Sequence, residues 1–449
     1  MTRTSSNNSS PDAIPAVDTL IRPNDHPNQQ ISFLWTPGQT LAELLYQPRK
    51  GLCFAVKEGG QGIHIRDQVN DFRPLEWMES YAKSNAIRLP SEVAKYKDID
   101  EIATKARAFI HRYFECDEVF ESVAVLYALH TWIADSVYAV PYLRFLGISG
   151  TGKTRASETI GALCYRPLVL AGAATPATMF RMIEAVGGTM LMDEADFQYS
   201  NIGSDIAKIL NCGYQRSLPV TRMEMTADNR YVPRMYNVFG PKIINGRKPF
   251  NDDATESRCL THTPRSAERS DIPRQLNNAF EAEARAIRNM AIRWRFDFLD
   301  KFEVKDISID SIRPRTNQII LPLMAVAERL NDQRYAQHLL NFAQAIDAQS
   351  LEERKTSVEA LLIDAFVQFV GKPTCKALAS EVLRTASGDD PSLLKWLSAR
   401  SVSPILRGLG FTTRHTRNGS GVYRHHKAAS LMQALWDRHR IITEIVTFV

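Results

Sequence analysis

Gly147-Ile148-Ser149-Gly150-Thr151-Gly152-Lys153-Thr154 matches G-x-x-x-x-G-K-[ST] at every fixed position. An apolar run, Tyr142, Leu143, Phe145 and Leu146, leads into it, and the stretch from Thr154 to Cys164 leaves it with helical spacing. The pattern therefore predicts strand, glycine-rich loop and helix, the context in which this motif has a mechanism. Glycines let the backbone curl with its N–H groups turned inward, and the helix N-terminus adds partial positive charge. Gly147, Ser149, Gly150, Thr151 and Gly152 are expected to cradle phosphates. Lys153 would reach the β- and γ-phosphates and the Thr154 hydroxyl would bind Mg²⁺, so ATP and Mg²⁺ are the expected cofactors.

Downstream, Thr189-Met-Leu-Met-Asp193-Glu194 is a short apolar strand ending in two acids. A buried strand delivers such carboxylates to the sheet edge where nucleotides bind in open α/β folds. Asp193 is the expected Mg²⁺ ligand and Glu194 the group that polarises the attacking water. Between Tyr142 and Pro264 strand-like and helix-like segments alternate: Thr154 to Cys164 helical, Pro167 to Ala171 strand, Thr175 to Val186 helical, Thr189 to Met192 strand. Such alternation predicts an α/β fold with a parallel sheet flanked by helices.

Hydrophobic residues make up 44% of the 449, and charged residues 23%. That is enough apolar material for two or three compact units and excludes wholesale disorder. The longest apolar stretch, Ile319 to Ala327, contains Pro322 and falls short of a membrane span, which needs about 18 residues. The six cysteines form no C-x-x-C pair, so spacing suggests neither zinc nor a disulfide framework. The start of the chain lacks the apolar region of a secretory signal, and the expectation is a cytoplasmic protein without a membrane. The net charge of +5 is compatible with a nucleic-acid partner.

Residues 1–30, rich in Ser, Asn, Asp and Pro, are expected to be a disordered tail. Residues 31–137 form an N-terminal region of unassigned role, with Gly51 to Val56 and Gly62 to Ile65 as strands and residues 74–137 as helices. The nucleotide domain is expected over 138–347, its last part mostly helical, with a polar linker from Ala348 to Thr356. A further domain follows over 356–449.

From Tyr142 to Leu330 these motifs resemble the AAA+ ATPases. Within them they resemble the helicase-like proteins of phages, plasmids and mobile elements, related to superfamily III and minichromosome maintenance helicases. The resemblance implies that Asn245, at the end of the strand-like Val238-Phe-Gly-Pro-Lys-Ile-Ile-Asn245, is the polar sensor near the γ-phosphate. It implies that the hairpin of Val220 to Met225 and Tyr231 to Tyr236 grips DNA in a central channel, through Arg222, Arg230 and Arg234. Pairing of these arginines with acids such as Glu224 is the alternative. Ser257-Arg258 resembles the element that delivers an arginine finger, which implies catalysis at a subunit interface and a ring, a hexamer by analogy. Ile312-Arg313-Pro314-Arg315, opening a helix from Thr316 to Leu330, resembles the sensor 2 position of a helical lid, with Arg315 the choice there and Arg313 next.

At the C-terminal end, Ser357 to Val370, Thr374 to Thr385 and Ser401 to Leu409 read as helices. Phe411 to His415 and Val422 to His426 then flank a glycine-rich turn, and the set resembles a winged helix. From Lys395 to Arg440 nine Lys or Arg stand against one acid, Asp437, the charge footprint of a nucleic-acid binder. Arg400, Arg407, Arg414, Arg417 and Arg424 are the expected DNA contacts; a winged helix used for protein contacts within the ring is the alternative. The expected function is an ATP-driven helicase or translocase on single-stranded or forked DNA. An initiator or regulatory ATPase switch is the second possibility, and a scaffold that merely holds ATP a third, against which Lys153, Asp193 and Glu194 stand.

Overall fold

A computed structural model describes residues 20–23, 30–170, 175–193, 201–226, 228–250, 252–355, 361–363, 365, 376–387, 399–408, 412–416 and 419–423. The chain divides into two compact units that part after Gln344.

In the first unit, strands β1 (Leu20–Pro23), β2 (Gln30–Thr36), β3 (Thr40–Gln47), β4 (Gly51–Glu58) and β5 (Ile63–Arg66) pair in chain order. β6 (Arg73–Pro74) adds to β2 in parallel. The β2–β3 turn is Pro37-Gly38: Gln39 N–H donates to the Thr36 carbonyl at 3.0 Å, and Gly38 sits at φ 69°, which an L side chain would resist. α1 (Met78–Lys83), α2 (Ile99–Tyr113) and α3 (Glu118–Thr131) follow. Asp98 and Asp117 cap α2 and α3 by accepting from the amides of Glu101 and Phe120. The residues between α1 and α2, expected to be helical, are not. There Ile87 bridges to Leu168 and covers the edge of the central sheet, an edge that would otherwise present unpaired backbone groups.

That central sheet is built from β7 (Tyr142–Leu146), β8 (Leu168–Leu170), β9 (Met190–Met192), β12 (Lys242–Gly246) and β13 (Cys259–His262). Its order is β13-β7-β12-β9-β8, with every pairing parallel. The α/β class with a flanked parallel sheet is thus as the sequence pattern anticipated. α4 (Lys153–Gly161), α5 (Pro176–Val186) and α6 (Asn201–Cys212) lie between these strands in sequence. So do the hairpin β10 (Val220–Met225) and β11 (Tyr231–Tyr236) and the short α7 (Asp253–Glu256). α8 (Asn278–Phe298) and α9 (Pro314–Ala327) follow, and α10 (Arg334–Lys355) begins in this unit.

One apolar cluster joins Ile31, Leu44 and Phe54 of the N-terminal sheet to Leu168, Phe180 and Met190 of the nucleotide core. Beside it lies a fully buried ionic group. Glu43 on β3 accepts from Arg166 Nη2 at 2.6 Å, Arg295 Nε at 2.5 Å and the Tyr165 hydroxyl at 2.9 Å, and Arg295 Nη2 donates to Asp135 at 2.6 Å. Two carboxylates balance two guanidinium groups, which is what makes their burial tolerable. Among the described residues no helix is long and apolar enough to cross a membrane.

In the second unit, β14 (Lys376–Leu378), α11 (Ala379–Ser387), α12 (Ala399–Gly408), β15 (Thr412–Thr416) and β16 (Gly419–Tyr423) are described. The strands form an antiparallel sheet in the order β14-β16-β15. Lys376 to Leu378, expected as helix, are strand because they pair with Tyr423 to Gly421. α12 is already helical at Ala399, two residues before the expected start at Ser401, and Pro404 lies in its interior. β15 and β16 pair from Thr412 with Tyr423 to Thr416 with Gly419, so β16 begins before the expected Val422.

Candidate nucleotide site

The glycine-rich loop runs from the end of β7 to the start of α4. Gly147, Gly150 and Gly152 have φ of 155°, 86° and 91°, backbone that other residues adopt only under strain. A Cβ on Gly147 would meet the Thr151 hydroxyl at 2.8 Å. Lys153 Nζ donates to the carbonyls of Gly147 and Ile148, each at 2.7 Å, so the ammonium already sits in the curl of the loop.

Three elements aim polar groups at the mouth of this loop. Thr154, on the first turn of α4, is exposed, and its hydroxyl is 3.4 Å from Asp193 Oδ2. Asp193 follows β9 directly. Asn245, next to last on β12, donates from Nδ2 to Asp193 Oδ1 at 3.0 Å and to Ser157 Oγ at 2.9 Å. The sheet order explains the meeting: β12 lies between β7 and β9, so a residue at its C-terminal end lies between the loop and the acid. Asn245 is 2% exposed, and its Oδ1 is buried with no hydrogen-bond partner among the described residues. A buried acceptor left without a donor is costly, and its place suits a donor from outside the described residues, such as a water. The cleft, about 350 Å³, is lined by Ser149, Gly150, Gly152, Lys153, Thr154, Asp193 and Asn245 among the expected residues.

Three residues of the cleft region escaped sequence reasoning. Ser157, one turn after Thr154, anchors Asn245 and donates to the Thr154 carbonyl at 3.0 Å. Arg155 and Arg247 line the cleft. Arg155 donates to the carbonyls of Pro273 and Arg274 at 2.9 and 2.7 Å, tying the segment before α8 to the helix that carries Thr154. The signal for Arg155 and Ser157 was their spacing from Lys153 on one helix; nothing in the sequence pointed to the segment that Arg155 holds.

Glu194 lies outside the described residues, as do Arg417 and Arg424. Arg258 and Arg315 are brought together, away from the cleft. The Arg258 carbonyl accepts from Tyr142 N–H at the start of β7, whereas the loop leaves its far end, roughly 13 Å of strand away. Arg258 is 8% exposed, donates to Asn211 Oδ1 and lies 4.2 Å from the ring of Tyr214. Arg315 lies 4.8 Å from that same ring and donates to Gln318 at 2.6 Å.

Hairpin alternation turns two of its three arginines toward the body. Arg222 sits opposite Arg234 in the register and 4.7 Å over Phe180 of α5. Arg234 pairs with Glu184 at 3.1 Å and with Glu224 at 3.4 Å, and hydrogen bonds with Tyr236, Arg181 and Arg234 hold the Glu224 carboxyl below its ordinary range. Arg230, at the tip, is exposed beside Asp228 at 3.1 Å. The outer face instead carries Met223, Met225, Tyr231 and Met235, each at least 60% exposed. In the second unit Arg407 donates to the Ser403 carbonyl at 3.4 Å, and Arg400 and Arg414 have backbone positions on α12 and β15.

No family model and no curated protein matches this chain. Solved structures that resemble it include JCV helicase, 12% identical over 56% of this chain and 61% of that one, TM-score 0.25. The chain thus spans about three fifths of JCV helicase. The C-terminal region of NrS-1 is 9% identical over 86% of this chain and 96% of that one, TM-score 0.35. The Thermotoga maritima RuvB Holliday junction branch migration motor is 12% identical over 74% and 96%, TM-score 0.23.

Proposed function

We propose that this chain hydrolyses ATP and uses the energy to move along or unwind DNA, as an AAA+ helicase or translocase of the kind carried by phages and mobile elements. The observation that carries the proposal is the convergence of Thr154, Asp193 and Asn245 on the mouth of the loop that holds Lys153. The donor set suits a magnesium nucleotide. Loop glycines and Lys153 offer N–H donors to phosphate oxygens, and Thr154 and Asp193 offer hard oxygen ligands to Mg²⁺. The unpartnered Asn245 Oδ1 suits a water in need of orientation. Mg²⁺ held by Thr154 and Asp193 would offset the negative charge of the phosphates. Lys153 would trade its loop carbonyls for phosphate oxygens, Asn245 would hold Asp193 in place, and Glu194 would polarise the water.

In this proposal the chain assembles into a ring, a hexamer by analogy. Arg258 and Arg315, at the sheet edge remote from their own cleft, serve a neighbour's nucleotide. The second unit, with its helices, three-stranded sheet and basic sequence, is a winged helix on DNA, contacting phosphates through Arg400, Arg407, Arg414, Arg417 and Arg424. On the hairpin, Arg230 is the arginine placed for such contact, while Arg222 serves it only if the hairpin turns. Forked DNA with ATP and Mg²⁺ tests the proposal: strand release that tracks phosphate release and vanishes in Lys153→Ala supports it. Slow hydrolysis indifferent to DNA would refute the motor and leave an initiator-type switch.

A further inference from the structure

Lys242, the first residue of β12, is 1% exposed. Its Nζ donates to the carbonyls of Gly240 at 2.8 Å, Val238 at 3.0 Å and Gly213 at 3.3 Å. An ammonium has three N–H donors, so all are used. Gly213 directly follows α6, whose C-terminal end carries partial negative charge, and the Tyr142 ring lies 4.9 Å away. These dipoles are what stabilise the cation, for no carboxylate bonds to it among the described residues. Burial without a counter-ion is costly and draws the amine down to about 7. An apolar side chain would fill the place without that cost, so the three bonds are what the lysine contributes.

They close on a mechanical path. Val238 and Gly240 belong to the linker, residues 237–241, that joins hairpin strand β11 to β12. Bonding two of its carbonyls to a side chain of β12 removes the slack of a five-residue loop. The bond to Gly213, doubled by the Gly240 amide donating to the Gly213 carbonyl at 3.1 Å, ties the linker to the end of α6. At the far end of β12 is Asn245, on Asp193.

We propose that Lys242 is a positioning residue of the nucleotide site, its ammonium joining the hairpin linker, the end of α6 and β12 into one rigid piece, so that displacement of the hairpin reaches the Asn245–Asp193 pair. This rests on the ATPase reading of the cleft. A neutral amine keeps two N–H groups and turns a lone pair toward the third carbonyl, so the joint loosens as pH rises through 7. The groups that face Lys242 are Tyr142 on β7, Cys212 at the end of α6 and Tyr127 on α3, whose hydroxyl donates to the Lys242 carbonyl at 2.8 Å. Beyond Tyr142 come Tyr214, Arg258 and Cys259. Burial raises Tyr127, Tyr142, Cys212 and Cys259, the last to about 12, so these four remain neutral where Lys242 titrates.

The test measures kcat and KM for ATP of the full chain between about pH 6 and 9, for wild type, Lys242→Met and Lys153→Ala. Wild-type kcat should fall above pH 7, by up to about tenfold per unit if only the ammonium form is competent. Lys242→Met should keep its KM, lose kcat and show no such fall. A folded Lys242→Met with wild-type kcat and profile overturns the proposal. Should that variant fail to fold, hydrogen exchange of wild type, corrected for intrinsic rates, decides: amide protection over the linker residues after Tyr236 should drop through pH 7. Unchanged protection overturns the proposal. Turnover by Lys153→Ala equal to wild type would instead remove the ATPase reading, whatever the exchange result.

Discussion

Replacing Asn245 by alanine removes the bond that orients Asp193, and its cost can be worked out by two routes. The Nδ2 group lies 3.0 Å from Asp193 Oδ1, and a hydrogen bond to a charged group contributes about 1.5–3 kcal/mol. At about 1.4 kcal/mol per tenfold that is a factor of roughly 10 to 150. Independently, loss of an outer partner of a metal ligand lowers metal affinity or activity by about 10- to 100-fold. Ser157→Ala provides the comparison, since it leaves the Asn245–Asp193 bond and removes two bonds between neutral groups, to Asn245 at 2.9 Å and to the Thr154 carbonyl at 3.0 Å, of which only the first reaches Asn245, at about 0.5–1.5 kcal/mol, or roughly 2- to 13-fold. The assay is steady-state phosphate release over a grid of Mg²⁺ and ATP concentrations. Asn245→Ala should lose about two orders of magnitude at most, through kcat and the Mg²⁺ requirement, with the ATP requirement at saturating Mg²⁺ little changed. Ser157→Ala should lie between it and wild type. A correctly folded Asn245→Ala that turns over at the wild-type rate, or no worse than Ser157→Ala, would refute the reasoning.

Glu43→Gln should lower unfolding free energy by about 3–5 kcal/mol, read from denaturant midpoints, because Arg166 and Arg295 lose the charge that lets them be buried. His130 is wholly buried, with Nδ1 on the Tyr127 carbonyl at 2.6 Å and Nε2 without an acceptor among the described residues, and burial lowers it to about 4. Between its ordinary 6.5 and 4 the unfolded chain binds the extra proton, so stability is full above 6.5 and lost as pH falls, by about 2 kcal/mol at pH 5; a His130→Phe variant that loses as much as wild type contradicts this. Arg258→Ala and Lys153→Ala proteins, each inactive alone, should recover ATP turnover when mixed, and failure at every ratio with assembly intact would count against sites shared between subunits.

The loop, its strand and its helix were legible because local sterics dictate them: positive φ needs Gly147, Gly150 and Gly152, and the buried β7 needs an apolar run. The meeting of Asn245 with Asp193 was not local. It depends on β12 inserting between β7 and β9, which no window of sequence contains, and only the resemblance pointed to that residue. The strands β2 and β3 went unread because both are buried at five consecutive positions, Ser32 and Glu43 included, so their polar residues do not mark an exposed face, although Pro37-Gly38 between them is a turn signal. β14 read as helix because three residues carry little period, and their state is set by a partner more than 40 positions away. Glu43 gave no sign of its role, since its partner Arg295 lies 252 residues later.

The placement of Arg258 and Arg315 bears on how a shared site would work. Both guanidinium groups rest on one ring, Tyr214, and Arg315 Nε reaches Ser257 Oγ at 3.5 Å, so the residue after α7 and the first turn of α9 are coupled through one aromatic side chain. Stacking orients a guanidinium, and the in-plane donors engaged here rest on the neutral groups of Asn211, Gln318 and Ser257, which an oxygen anion displaces more readily than it would a carboxylate. Tyr214 in turn follows Gly213, the glycine whose carbonyl Lys242 holds. A neighbour's nucleotide that drew on either arginine would therefore pull on the same turn that fixes the base of the hairpin. In the proposed ring, binding at one seam and the hairpin of the next chain are linked by three consecutive features of one turn, Cys212 closing α6, Gly213 under the ammonium and Tyr214 under the arginines.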